Sequence, residues 1–217
     1  LSDEVGIIQH AKHSINDRSS GYTTDDNSRA LIAITMYHQK CPDADSLKYI
    51  NIYLSYLYHA LTKDGWFHNF MNYDRRFLDK KGSEDCFGRT LWAMGFVGSS
   101  DLQNNIKKTA KFIFDKAVKN ITSLKSPRGQ AFSLIGLYYY YQAYPETDIK
   151  EKIIFLTQKL IKLYQSEKTN DWHWFEDDIT YDNGRLSEAL FLAYEITQDK
   201  LYLKIAKESL DFLASLV

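Results

Sequence analysis

The sequence predicts an all-α protein, an array of antiparallel helical hairpins arranged in two layers. Three observations predict it. Only three prolines and ten glycines interrupt 217 residues, so long segments of helical apolar period run unbroken. Those segments alternate between two kinds. One is apolar almost all round and must be buried on all sides; the other is apolar on one face and lies between core and water. Short turns join the two kinds into antiparallel pairs.

In chain order, a leading helix is expected over residues 3–13. Inner helices follow over 30–37, 90–97, 131–141 and 189–196, beginning near positions 26, 85, 128 and 184. Outer helices run over 101–121, 150–165 and 202–213. The first of these shows Ile106, Ala110, Ile113, Phe114 and Ala117 on one face against a lysine-rich back. The second repeats the pattern with Ile153, Leu156, Leu160 and Leu163. Turns at 42–45, 98–100, 145–148 and 198–200 close the hairpins. An irregular repeat of this length is the pattern of an α-hairpin array rather than of a plain bundle. The four tyrosines at 138–141 are assigned to inner-helix packing.

The returns from outer to inner helix differ. Three of them, 16–26, 64–85 and 168–184, are long and rich in polar and aromatic groups, whereas 124–127 is short. Every inner helix starts at the same end of the array, so the long segments are expected to gather on one face. Loops of such length are usually functional, and that face is the candidate site.

Bulk composition excludes several classes. A formal net charge of -1 gives no overall field for nucleic acid or an anionic membrane. No apolar run reaches the roughly 18 to 20 residues that a membrane span requires. Two cysteines, Cys41 and Cys86, make neither a disulfide framework nor a thiol zinc site. No signal-like segment precedes the fold, which favours a cytoplasmic location, while a first residue of Leu is also what a processed or internal chain would carry.

The helix mouths carry the chemistry. They read Asp25-Asp26-Asn27-Ser28-Arg29, Glu84-Asp85-Cys86-Phe87-Gly88-Arg89 and Tyr181-Asp182-Asn183-Gly184-Arg185. Each sets an acid three or four positions before an Arg, where the two can pair along the helix. One carboxylate per helix is explained as a cap. A second adjacent one exceeds what a cap needs, so Asp25, Asp26, Glu84, Asp85 and Asp182 are the candidate acid/base pool. Carboxyl groups sharing one cleft repel, which raises the pKa of at least one. A neutral acid beside an ionised one is the requirement of glycoside hydrolysis.

Flat rings interleaved with hydrogen-bonding groups suit the apolar faces and hydroxyl edges of sugars. Such stretches occur at Trp66-Phe67-His68-Asn69 and at Trp172-His173-Trp174-Phe175-Glu176. Trp66, Trp172, His173 and Trp174 are therefore expected as a stacking rim with Tyr22 nearby. Arg29, Arg89, Arg185, His68 and Asn69 would orient hydroxyls, and Asn27 and Glu176 complete the binding set. No ligand spacing supports a metal at His68 or His173, and no phosphate loop or nucleophile elbow is present. No cofactor is called for.

The stretches GYTTDDNSRAL, DGWFHNFMNYDRRF with GSEDCFGRTLWAMG, and WHWFEDDITYDNGRLSEALFLAYEIT resemble a bacterial group of the six-hairpin glycosidase-like, (α/α) toroid superfamily. Its members are described as glycosidase-related or glycosyltransferase-associated. The resemblance implies an inner ring of helices whose N-terminal mouths frame a carbohydrate cleft. It also implies kinship with epimerases and uronyl hydrolases of the same architecture. A full ring has six hairpins and about four are legible here plus the leading helix. Residues 1–217 are thus expected as one toroid domain that is either partial or a fragment of a longer chain. The leading expectation is a carbohydrate-active enzyme hydrolysing a glycosidic bond of an oligosaccharide or glycoside. The alternatives are a sugar epimerase or isomerase using His68 or His173 as base, and a non-catalytic sugar-binding domain.

Overall fold

A computed structural model describes residues 1–216. Eight helices dominate it: α1 (Thr24–Lys40), α2 (Ala44–Ala60), α3 (Glu84–Ser99), α4 (Asn104–Ala117), α5 (Pro127–Ala143), α6 (Thr147–Glu167), α7 (Gly184–Thr197) and α8 (Lys200–Ser215). Four two-residue strands accompany them: β1 (Ala11–Lys12), β2 (Ile15–Asn16), β3 (Tyr22–Thr23) and β4 (Phe70–Met71). Among the described residues no helix is long and apolar enough to cross a membrane.

The helices form four hairpins, α1/α2, α3/α4, α5/α6 and α7/α8, and the inner members pack side by side in the order α1, α3, α5, α7. This is an (α/α) toroid-like arc with an inner and an outer layer. Its central seam, α3 against α5, is the tightest. A Cβ on Gly95 would sit 2.1 Å from the carbonyl oxygen of Gly136, and one on Gly136 2.6 Å from the backbone of Leu91. Only glycine allows backbones to approach so closely. At the ends of the arc the burial expected of an all-round apolar helix is incomplete. Met36 and Tyr37 of α1 remain 53% and 50% exposed.

Local chemistry sets the helix bounds. Asp43 and Ser46 form a reciprocal capping box at the start of α2. Pro127 occupies the first turn of α5 behind the cap Ser126. Gln198 takes a left-handed conformation (φ 59°) to end α7, and Asp199 at once caps α8. The expected outer helix over 101–121 is shorter, because after Ala117 the chain tightens into a 3-10 turn over Val118–Ser123.

The leading helix expected over 3–13 does not form. Asp3 accepts the backbone N–H groups of Val5 and Gly6, an Asx-type turn that competes with helix. Gly6 lies against Asn27, where a Cβ would stand 2.4 Å from Oδ1. Ile8 then bridges to Tyr22, and β1 pairs with β2 in a small hairpin. Residues 1–23 thus run as an extended strap over the entrance of α1. The long returns do gather at one end of the arc: β3, before α1, pairs antiparallel with β4, before α3.

Candidate functional site

At the mouth of α1 the residues Thr23 to Asp26 divide their labour. Thr23 is the N-cap; its hydroxyl accepts the N–H of Asp26 at 3.0 Å and donates to the Asp26 carboxylate at 2.6 Å. Asp26 is thereby the cap's partner, and Asp25 is the surplus acid. Asn69, from the loop before α3, accepts the N–H of Asp25 at 3.2 Å and fixes it from across the β3/β4 pair. Nη2 of Arg29 lies 3.1 Å from Oδ2 of Asp25, and Nε of Arg89 lies 3.1 Å from its Oδ1. The second approach is off the line that a hydrogen bond requires, so both atoms are buried without a hydrogen-bond partner among the described residues. Burial pushes the Asp25 carboxyl above the ordinary aspartate range; Arg89 and Arg29 oppose this, and Asp26 and Asp85 add to it.

The mouth of α3 splits likewise. Glu84 accepts the backbone N–H groups of Lys125 and Ser126, both at 2.6 Å, and so ties the start of α5 to α3. Asp85 accepts the hydroxyls of Ser126 (3.1 Å) and Tyr181 (2.6 Å). The Tyr181 hydroxyl is pushed up to about 12 by burial and by that carboxylate. Arg89 does not pair with the acids of its own helix. It bridges Asp25 of α1 and Asp182 of the loop before α7, with its guanidinium 4.4 Å above the ring of Phe132 on α5. Of the three acid–Arg spacings only the first closes locally, through Asp25, Asp26 and Arg29. Arg185 instead pairs forward with Glu188 at 2.5 Å.

The fourth mouth supplies a residue that the sequence reading passed over. Arg128 of α5 is 4% exposed. Its Nη1 donates to both oxygens of Glu176 (2.8 and 2.7 Å), its Nε to the carbonyl of Tyr181 (2.5 Å) and its Nη2 to Asn183 (3.0 Å). This one side chain fastens the whole 168–183 return. The available signal was an arginine directly after the helix-starting Pro127, at the one mouth without a carboxylate.

On the concave side of the arc Arg29, Arg89, Asp182 and Arg185 of this set border a cleft of about 260 Å³. Arg29, Ile32 and Met36 of α1, Arg89 and Trp92 of α3, and Asp182 and Arg185 at the α7 mouth line it. Trp92 was also passed over. Its ring stacks at 12° on Phe132, the guanidinium of Arg185 covers it at 4.6 Å, and its buried Nε1 has no acceptor among the described residues.

The remaining candidates lie elsewhere. Trp66 is 8% exposed, packed 4.7 Å from Phe87 with the Lys81 ammonium over its ring. Trp174 is fully buried against Phe175. Trp172 donates to the carbonyl of Glu176 and meets Phe212 edge-on. These three rings anchor the long returns to the body rather than forming an open rim. Tyr22 is buried and bonds Asp3 at 2.7 Å. Asn27 is buried, holding Ile7 of the strap and the carbonyl of Thr23. His68 bonds the carbonyl of Asp79 through Nδ1 and stacks on Phe77. His173 reaches only the carbonyl of Asn170, beside Phe212. Neither histidine lines the cleft. Among the described residues no three His, Cys, Asp or Glu side chains are grouped to hold a metal ion.

No protein-family model matches the chain, and no curated protein matches it in sequence. Solved structures do resemble it. A D-mannose isomerase superposes with a TM-score of 0.75 at 12% identity over 97% of this chain and 63% of its own. A sugar epimerase from a ruminal bacterium gives 0.73 at 12% identity over 98% and 65%. The likeness is one of fold, and this chain spans less than two thirds of either relative.

Proposed function

We propose that the concave cleft binds a monosaccharide and that the chain serves sugar isomerisation or epimerisation, by proton transfer at a carbon beside a carbonyl. The observation that carries this reading is the state of Asp25. It is surplus to capping, it lies 3.1 Å from each of two arginines of the cleft wall, and burial raises its carboxyl above the ordinary range. Such a group can take a proton from one carbon and return it to the same or the adjacent carbon. Arg29 and Arg89 are placed to stabilise the charge that develops on the neighbouring oxygen. The D-mannose isomerase and sugar epimerase that share the fold support the same class.

Hydrolysis was the leading expectation and is the weaker reading. It requires two carboxyls of opposite protonation flanking the bond. Here Glu84 is taken by backbone amides, Asp26 by the Thr23 cap and Asp85 by two hydroxyls. What favours hydrolysis is that Asp25 and Asp182 straddle Arg89, together with the resemblance of the 21–31 stretch to glycosidase-related proteins. His68 and His173 lie away from the cleft, whereas Asp25 sits directly behind its wall, against the lining residues Arg29 and Arg89, and Asp182 is the mouth carboxyl in the lining itself.

The test is a panel of aldoses and ketoses incubated with the chain in deuterated water and followed by proton NMR. Deuterium entering the carbon beside the carbonyl, and lost in a folded Asp25→Asn variant, is expected. Release of aryl alcohol from aryl glycosides without any deuterium uptake would overturn the proposal in favour of hydrolysis.

A further inference from the structure

Outside the arc, a second cavity of about 390 Å³ opens between the short return before α5 and the last turns of α6. Lys125, Gln130, Lys159, Lys162, Leu163 and Ser166 line it. Three lysines therefore contribute to a lining that contains no carboxylate. None of the three lysines forms a salt bridge among the described residues; Lys159 donates instead to the neutral carbonyl of Leu124. The nearby acid Glu84 has one carboxylate oxygen committed to the N–H groups of Lys125 and Ser126. The negative end of a helix attracts cations only within its last turn. Lys159 lies two turns before the end of α6 at Glu167, so that effect does not explain it.

The floor of the cavity is Gln130, 4% exposed. Its amide nitrogen donates to the carbonyl of Leu124 at 3.1 Å, while its Oε1 accepts no hydrogen bond among the described residues. The hydroxyl of Ser166, at the rim, donates to Leu163 and keeps its lone pairs free. The lining thus offers lysine charge together with free acceptor capacity on Gln130 and Ser166.

We infer that this cavity is a binding site for a phosphate monoester of a small polyhydroxylated molecule. The phosphoryl dianion is matched by Lys125, Lys159 and Lys162 as point charges, and a hydroxyl of the ester donates to Gln130. The site is separate from the concave cleft and does not depend on the sugar-isomerase reading. It is tied to the mouths through Lys125 and Ser126, whose amides hold Glu84 beside Asp85.

Isothermal titration calorimetry at low ionic strength tests it with three probes: inorganic phosphate, a hexose phosphate and the unphosphorylated hexose. Saturable binding that Lys162→Met weakens is expected for the hexose phosphate, weaker binding for inorganic phosphate, and for the free hexose only heat that Lys162→Met leaves unchanged. Lys159→Met and Lys162→Met keep the aliphatic stems and should each weaken the hexose phosphate by about tenfold or more. Lys108→Met, on the solvated back of α4, should leave it unchanged. Gln130→Leu should weaken the hexose phosphate but not inorganic phosphate, which separates the ester from the free anion. If Lys159→Met does not fold, Lys162→Met and Gln130→Leu still decide. No saturable heat with either phosphate, or equal weakening by Lys108→Met, would overturn the inference and leave only general charge attraction.

Discussion

Arg89 and Arg128 occupy comparable places and do different things. Arg128 rises from the first turn and Arg89 from the second turn of an inner helix, both are almost fully buried (6% exposed for Arg89 and 4% for Arg128), and each lies over an aromatic ring. Arg128 engages all three of its nitrogens, on two oxygens of Glu176, one carbonyl and one amide oxygen. Arg89 stands between two carboxylates, keeps one N–H out of line, and borders an open cleft. A closed network of buried charge holds a loop in place. An incompletely satisfied one, facing a cavity, retains hydrogen-bonding capacity for a ligand. The difference teaches where scaffold ends and site begins along one continuous line of helix mouths.

The largest expected effect breaks the scaffold side. Arg128→Met would leave Glu176 charged in a partly closed setting and free the Tyr181 carbonyl and the Asn183 side chain. Loss of one member of a buried pair costs about 3–5 kcal/mol. Urea unfolding should show a loss of that size, and limited proteolysis should cut first within 168–183. A loss no larger than that of a surface substitution would mean that Arg128 does not hold this return.

Arg89→Met sharpens the contrast. Asp25 and Asp182 are 24% and 40% exposed, so solvent can take over part of their charge. The stability loss should therefore fall below that of Arg128→Met, in the range of about 1–3 kcal/mol for a hydrogen bond to a charged group. Deuterium uptake by substrate should fall by about 100-fold or more, as on removal of a preorganised donor from a developing oxyanion. Arg89→Lys keeps the charge but cannot reach both carboxylates and should recover little of the rate. Equal destabilisation by Arg89→Met and Arg128→Met, with uptake unchanged, would erase the distinction.

The hairpins were legible because local rules fix them. Pro127, the Asp43/Ser46 box and the Gln198–Asp199 stop mark ends that need no tertiary information. The gathering of the long returns followed from antiparallel topology. What stayed hidden was long in range. Arg89 finds Asp182 across 93 positions, and Arg128 finds Glu176 across 48, so no spacing rule could pair them. The tryptophans misled for a related reason. A return of about twenty residues has to anchor itself, and Trp66 packs on Phe87 of α3 while Trp174 is fully buried in the core. The indole on the cleft, Trp92, sat unnoticed inside an apolar helix, where packing explains a ring just as well. The helix expected over 3–13 does not form because an Asx turn at Asp3 and the contact of Gly6 with Asn27 outweigh weak helical periodicity.

The smallest expected effect is the most diagnostic, because stability and activity should move in opposite directions. The carboxyl of Asp25 is raised in the fold, so the folded chain binds that proton more tightly than the unfolded chain does. As pH climbs from the ordinary aspartate range through the raised value, ionisation costs the fold stability, and above it the full cost is present. Asparagine cannot ionise. The stability of Asp25→Asn relative to wild type should therefore be lowest at acid pH and rise across that window, leaving the variant relatively better off near neutrality. Chemical denaturation at a series of pH values reads the slope directly. A stabilising substitution that also ends deuterium uptake is the mark of a group held in an unfavourable state for its chemistry. A flat or opposite slope would place Asp25 with Asp26 and Glu84 among the structural acids of the mouths, and the contrast between the two arginines would then lose its chemical half.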